Sequence, residues 1–443
     1  MAMTTASASS SSLTTAARAS SAYGWYVATL LFLVMAFNLM DRQILAILLE
    51  PIKRDLQLTD TAMGLLTGFA FVAFYTITSL PIARLADTGS RRHIIAVALA
   101  FWSALTSASA FCTSFAQLAA LRLGVGVAES ASGPAGQSMI ADFFGRTRRT
   151  AAMSLLAIAP PVGVMLAFIV GGALNEQFGW RATLAFMGVP GLLLSLLWWV
   201  SVREPPRGGG DDGPTDNAQY GLAATVRYLL VLPSFRYLAL GASLSIFTVT
   251  AMVVWSPAYL ERVHALSSSR VGLSLGLATG LGGIVGGLGA GVLAQRLALR
   301  DVAWLMRLPA ITSLLGGPFV AGFLLLGASP AALPMFFGIV FCTAAMLAPV
   351  MSATQSIAKL RMRAVAASLV TLTYNLIGTG LGPLTIGAVS DWLAPNLGAA
   401  SLRTALWIAA FTSIAAACAF ALGAAHVRKD VERSALSARL PAT

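Results

Sequence analysis

Twelve times between residues 24 and 426 the chain runs apolar for 20 residues or more, and polar residues gather between the runs rather than within them. A helix rises about 1.5 Å per residue, so each run is long enough to cross roughly 30 Å of bilayer hydrocarbon. The runs are approximately 24–49, 60–84, 93–114, 117–142, 149–176, 182–202, 235–260, 270–295, 302–326, 332–358, 364–390 and 401–426. Only 10% of the residues are charged, against about 25% in soluble domains, so most of the surface cannot face water. The pattern predicts an all-α membrane protein, because helices satisfy their own backbone groups in hydrocarbon.

The longest polar interruption, 203–220, is rich in Pro, Gly and Asp and separates the sixth run from the seventh. It divides the chain into an N-terminal bundle, 23–203, and a C-terminal bundle, 235–427, joined by a linker at 204–234. A Ser/Thr/Ala-rich segment, 1–22, reads as a disordered tail, and 428–443 as a second tail. The first run is too long for a leader peptide and reads as a span. Basic residues decide the orientation: 21 of the 29 lysines and arginines lie on the side that holds both chain ends, and 6 on the other. That asymmetry predicts cytoplasmic termini. The absence of any Asn-x-Ser/Thr site, with Ala/Gly/Arg-rich usage, points to a bacterial inner membrane.

The formal charge of +12 sits in short clusters between apolar runs and carries no nucleic-acid-reading motif, so no nucleic-acid partner is expected. Cys112, Cys342 and Cys418 have no partner at metal-ligand spacing, and His93, His264 and His426 are scattered. Neither a metal, a cofactor nor a catalytic cluster is expected. A phosphate-binding loop for ATP-driven transport and a channel filter loop are both missing from the sequence.

The halves repeat each other. Ala83-Arg-Leu-Ala-Asp87-Thr-Gly-Ser-Arg91-Arg92 follows the second run, and Gly291-Val-Leu-Ala-Gln295-Arg296-Leu-Ala-Leu-Arg300 follows the eighth. Duplicated six-span halves place a site at their interface near mid-membrane. The first of these segments resembles the loop motif of the major facilitator superfamily, Gly-x-x-x-Asp-Arg-x-Gly-Arg-Arg, with Ala83, Thr88 and Ser90 as departures. Further features are Asn38-Leu-Met-Asp41-Arg42, Asp55-Leu-Gln-Leu-Thr-Asp60, Gly64-Leu-Leu, Leu80-Pro81-Ile, Trp102-Ser103, Arg122-Leu-Gly-Val-Gly-Val-Ala-Glu129 and Gly179-Trp180-Arg181. Together they resemble the spinster family of lipid transporters, most strongly over 25–200. Organic-anion symporters share the Asp-Arg and Gly-Leu-Leu features. The resemblance implies a major facilitator fold of twelve transmembrane helices in two pseudo-symmetric six-helix bundles.

Charges inside hydrocarbon cost about 2.5–3.5 kcal/mol each on insertion scales and are normally functional. Asp41, Arg42, Arg122 and Glu129 are the four that lie well inside runs, all in the first half. Arg122 and Glu129 are seven residues apart and share a helix face. The resemblance implies that spans one and four both line the cavity, and with their depth along the helices this sets Asp41 near Arg122 and Arg42 within reach of Glu129. Burial disfavours a carboxylate's charged form and a neighbouring arginine restores it, so separating the two moves a proton. Asp41 and Glu129 are therefore the proton-coupling candidates, and Arg42, Arg122 and Glu129 also face the substrate. The resemblance implies substrate handling at Glu129. A charged first half against a neutral second half suits an amphiphile, with Trp255, Tyr259, Met346, Gln355, Tyr374 and Asn375 as candidate wall residues of the second half. The resemblance also implies a cytoplasmic gate in which Asp87 meets the start of span eleven, together with Arg91, Arg92, Arg146 and Arg149.

The expected activity is a monomeric proton-coupled secondary transporter of a lysophospholipid- or sphingolipid-like substrate working by alternating access. An organic-anion:proton symporter or drug/proton antiporter is the alternative. Protons, the bilayer and that substrate are its expected partners, and enzymatic activity is not expected.

Overall fold

A computed structural model describes residues 6–206, 222–359 and 362–439, except the side chains of 6–21, 80, 83, 86–88, 146–147, 222 and 435–439. Nine helices among the described residues are long and apolar enough to cross a membrane. Two of them hold two crossings each. The helix Arg146–Ser201 turns at Gly179, whose φ of 77° is a left-handed value that favours glycine, dividing span five from span six. Residues 363–434 turn at the short 3-10 segment Gly398–Ala400, dividing span eleven from span twelve. Span four escapes a length criterion because it is broken into Phe115–Glu129 and Ser132–Phe143. With these resolved the chain makes twelve crossings, and no strand occurs among the described residues.

Local chemistry starts the spans where the sequence turns polar. Thr59, Ser90 and Ser114 each accept a bond from the backbone N–H three residues on, opening spans two, three and four. The first helix runs Ala6–Ile47, so it reaches back into the segment expected as a disordered tail. Alanine, which recurs there, is the best helix former. A helix at Leu222–Val231 lies in the expected linker, and span twelve continues to Arg439.

Two irregular turns shape the seam between bundles. Leu65–Phe69 in span two and Asn375–Gly380 in span eleven are π-helical. There the backbones touch: a Cβ on Gly68 would meet the carbonyl oxygen of Gly380, and one on Gly64 that of Pro383. Spans five and eight meet likewise. Gly272 lies against the Phe168 carbonyl, Gly276 and Gly280 against Met165, and Gly283 against Pro161. Farther along the same stripe, Gly287 faces open space. The bundles are thus joined at one face, here called distal, and part toward the face carrying the arginine-rich loops, here called basic.

Candidate functional site

Span one delivers Asp41 and Arg42, and span four delivers Arg122 and Glu129. Asp41, Arg122 and Glu129 are 1%, 3% and 1% exposed. Arg42 is the charge that faces Glu129, and Arg122 the one that faces Asp41, with Glu129 also within electrostatic reach of Arg122 and Asp41. Contact stops short of ion pairing. Arg122 donates from Nη1 to the backbone oxygen of Asp41 at 3.0 Å rather than to its carboxylate. Its Nε and Nη2, Asp41 Oδ1 and both oxygens of Glu129 are buried without a partner among the described residues. Trp102 Nε1 and Thr106 Oγ1 of span three face Asp41 as its nearest neutral donors, just outside strict hydrogen-bond geometry.

The break in span four positions Glu129. Pro134 cannot donate and its ring crowds the carbonyl four residues earlier, so the helix opens at Ser130–Ala131. The Glu129 carbonyl then accepts from Asn38 Nδ2 at 3.4 Å and from Ser132 Oγ at 3.1 Å, which ties the break to span one.

Arg42 is held by aromatics rather than acids. Its guanidinium lies 4.8 Å from the Phe71 ring centre and 6.0 Å from that of Tyr75, two rings stacked along span two. Beside it a cavity of about 10 Å³ closes the apex between the bundles, lined by Arg42, Gln43, Thr67, Thr250, Val254 and Thr379 among others. That volume admits a water and little more. Of the expected wall residues, Trp255 and Tyr259 are fully buried in the C-terminal bundle. Trp255 donates to the Pro383 carbonyl and Tyr259 to that of Leu324, so neither reaches the cleft in this conformation. Met346 is buried in the core of the same bundle, and Gln355 is exposed. Tyr374 and Asn375 are half-buried at the π-helical turn, where Tyr374 comes within electrostatic reach of Tyr75.

The distal face carries a cluster that the sequence reading passed over. Arg262, ending span seven, donates to Glu50 Oε2 at 2.8 Å and to Asp60 Oδ2 at 2.7 Å, across the two bundles. Asp391 of span eleven accepts from the backbone N–H groups of Asp60 and Thr61, and Ser390 donates to Asp60 Oδ2 at 2.7 Å. Glu176 accepts from the Ser269 N–H, and Asn175 donates to Ser268. Each charge stands at a span end, where sequence alone reads an ordinary loop.

At the basic face, Asp87 and Arg146 lie outside the described side chains. Arg91 turns into its own bundle, bonding Glu204, Asp142 and Ser138. Arg92 bonds the Trp199 carbonyl and rests on its ring, and Arg149 caps span four through the Ala141 carbonyl. Burial alone would push Glu204 up; bonds from the Arg92 backbone, Arg91 and Ser90 outweigh it and hold the carboxyl below its usual range.

Two six-span bundles sealed at one face and parting at the other, with a buried charge cluster in the first of them, define an integral, multi-pass membrane transporter, not an enzyme. The chain belongs to the Major Facilitator Superfamily, whose sequence profile matches residues 31–383. It is 32% identical over 418 residues to an MFS-type efflux pump of Mycolicibacterium smegmatis, covering 92% of this chain and 94% of that one. It is 31% identical over 242 residues to protein spinster homolog 1 of Xenopus laevis, covering 53% of this chain and 45% of that longer relative. Among solved structures it resembles a bacterial homologue of the human lysosomal transporter spinster, captured inward-facing and unoccupied, with a TM-score of 0.79 and 27% identity. That likeness covers 95% of this chain and 99% of the other.

Proposed function

We propose that the chain is a proton-coupled secondary transporter that moves an amphiphilic, lysolipid-like substrate by alternating access. The basic face is cytoplasmic by the positive-inside rule, so the conformation described is open inward, in a bacterial inner membrane. One observation carries the reading: Glu129 is buried with both oxygens unpartnered beside an Arg42 whose guanidinium rests on Phe71 and Tyr75 instead of on an acid. A carboxylate so placed needs a proton or a donor to complete it, and the stacked guanidinium keeps its donors free for an anionic headgroup. Loading Glu129 with a proton frees Arg42 for the headgroup; releasing the proton draws Arg42 back. Asp41 and Arg122 work as the second proton-handling pair. Asp87 and Arg146 form the cytoplasmic gate, with Arg91, Arg92 and Arg149 supporting its scaffold.

The test is flux in proteoliposomes under an imposed pH gradient, with lysolipids and small carboxylates compared for the natural chain and Glu129→Gln. Lysolipid movement that follows the gradient, and loses that dependence in the variant, is expected. Unchanged pH dependence in Glu129→Gln overturns the proton assignment, and transport confined to small carboxylates overturns the substrate class. The nearly full-length similarity to an efflux pump favours a drug/proton antiporter as second reading, for which lipophilic cations replace lysolipids in the same assay.

A further inference from the structure

The distal closure holds one acid that no cation answers. Arg262 bridges Glu50 and Asp60, Lys53 adds a second bond to Asp60, and Arg54 bonds Glu50. Asp391 does without a cation because three donors reach it, the Asp60 and Thr61 N–H groups and the Thr61 hydroxyl. Glu261, the residue before Arg262 on span seven, is half-buried and forms no ion pair among the described residues. It accepts a single bond, from Ser268 Oγ at 2.7 Å.

Its neighbours come from both bundles. Glu50, on the short helix Leu49–Asp55, faces it from the opposite bundle, and Arg54 of that helix is the cation within electrostatic reach. Arg54 is largely exposed and already bonded to Glu50, so water and salt weaken its pull on Glu261. Ser268, opening span eight, takes a bond from Asn175 Nδ2 of span five at 2.9 Å, and Glu176 beside it accepts from the Ser269 N–H. A Cβ on Gly172 would meet the Ser268 carbonyl oxygen, so the bundles touch at this point. Arg270 is exposed on span eight, while His264 bonds Tyr259 and both face Arg403 of span twelve.

Closing the distal face therefore brings two carboxylates together across the seam. Glu50 is buried and has a cation on each oxygen, Arg262 on Oε2 and Arg54 on Oε1, so it stays ionised. Glu261 has one neutral donor, and both burial and the nearby Glu50 disfavour its charged form. With a proton it is neutral, still accepts from Ser268, and leaves the Asn175–Ser268 bond between bundles in place. Once the face opens, water reaches the carboxyl, Glu50 moves away, and the reason to hold the proton is gone.

We infer that Glu261 is a proton-operated latch of the distal face: protonated, it lets the bundles close over it, and ionised, it opposes closure through Glu50. The proton comes from the distal solution and returns there, so the latch moves no proton across the membrane and acts apart from Asp41 and Glu129. The closed state binds this proton more tightly than the open one. Closure is thus fully favoured below the open-state titration and progressively lost as pH rises through the closed-state one. Acid on the distal side turns the cleft toward the basic face, and alkali lets it open distally. Neither the substrate class nor the coupling role of Glu129 enters this reading.

The test is the distance between spin labels at Ala116 and Asn396, exposed near the distal ends of spans four and eleven, in the full chain in lipid nanodiscs. Between about pH 5.5 and about pH 8.5 the natural chain is expected to gain long distances, their fraction rising by roughly threefold or more. Glu261→Gln, neutral at every pH and still able to accept from Ser268, is expected to keep the short distance throughout. Glu261→Ala, which lacks the charge and the Ser268 bond alike, is expected to be equally flat with pH. Glu129→Gln is expected to retain the natural response, which separates the latch from the coupling site proposed above. A response that survives in both Glu261 variants overturns the latch, and its loss in Glu129→Gln would then assign it to the central cluster. A natural chain whose distances do not change with pH overturns it as well.

Discussion

Arg42 is placed by two aromatic rings, and that is an unusual way to hold a buried-side cation. Acids would neutralise it; the faces of Phe71 and Tyr75 orient it and leave its donors uncommitted. A cation–π contact contributes about 0.5–2 kcal/mol, so Phe71→Leu is expected to weaken apparent substrate affinity roughly two- to thirtyfold. Maximal flux should change much less, because Glu129 is untouched. Equal losses in both parameters would show that Phe71 acts on the conformational step instead. A second residue reads out pH. Glu204 is held below the ordinary carboxylate range, so its stabilisation is present above the unfolded-state value and disappears as pH falls through the folded one. Thermal melts of the purified protein across the acid range should therefore lose their steep acid limb in Glu204→Gln, and an identical limb would assign it elsewhere. At this scale the sequence was informative about charge and silent about geometry. Asp41, Arg42, Arg122 and Glu129 stand out because charge in an apolar run is costly whatever the fold. Phe71 and Tyr75 do not stand out, because aromatics in a membrane helix are ordinary until a structure shows one under a guanidinium.

At the scale of elements, helix irregularities place the site. Gly378, Gly380, Gly382 and Pro383 mark span eleven as interrupted, and a π-helical turn is found at Asn375–Gly380. The matching turn at Leu65–Phe69 has only Gly68 to announce it. The break after Glu129 had a legible cue, Gly133-Pro134, within a run otherwise apolar enough to read as continuous. The glycine stripe of span eight reads from sequence as close packing, and that describes half of it. Gly272 is pressed against the Phe168 carbonyl of span five, whereas Gly287 faces open space. A period of four in sequence cannot say where a partner helix leaves the stripe. The difference is testable. Gly272→Ala sets a Cβ against backbone that cannot yield, so it should push spans five and eight apart at the distal face and favour the distal-open state. Gly287→Ala meets nothing here and should leave this conformation's stability within about 0.5 kcal/mol. Cysteine accessibility at Ser268 separates the two, with a several-fold rise expected for Gly272→Ala alone.

Across the whole molecule, alternating access requires that each face be closed by contacts the other state lacks. In this conformation the distal closure is electrostatic at its centre. Arg262 is 12% exposed and bridges Glu50 and Asp60 of the opposite bundle, while Asp391 receives the Asp60 and Thr61 N–H groups. Without Arg262, closing the face brings Glu50, Asp60 and Asp391 together with Lys53 bonded to Asp60 and Arg54 to Glu50, both from the N-terminal bundle, and no cation bridging from the C-terminal one. Removing one partner of a buried ion pair costs about 3–5 kcal/mol because the remaining charge stays buried. Only the closed state bears that cost, since opening returns the carboxylates to water. Each 1.4 kcal/mol shifts a population tenfold, so Arg262→Gln should move the equilibrium toward the distal-open state by tenfold or more. Arg262→Lys should recover part of the shift, because one ammonium cannot match a planar fork bonded to two acids. Spin labels at Ala116 and Asn396, both exposed near the distal ends of spans four and eleven, report the change as a longer distance distribution. If that distribution is unchanged in Arg262→Gln, the apolar seam of Gly64 against Pro383 and Gly272 against Phe168 is what keeps the face shut, and the ion cluster only follows it.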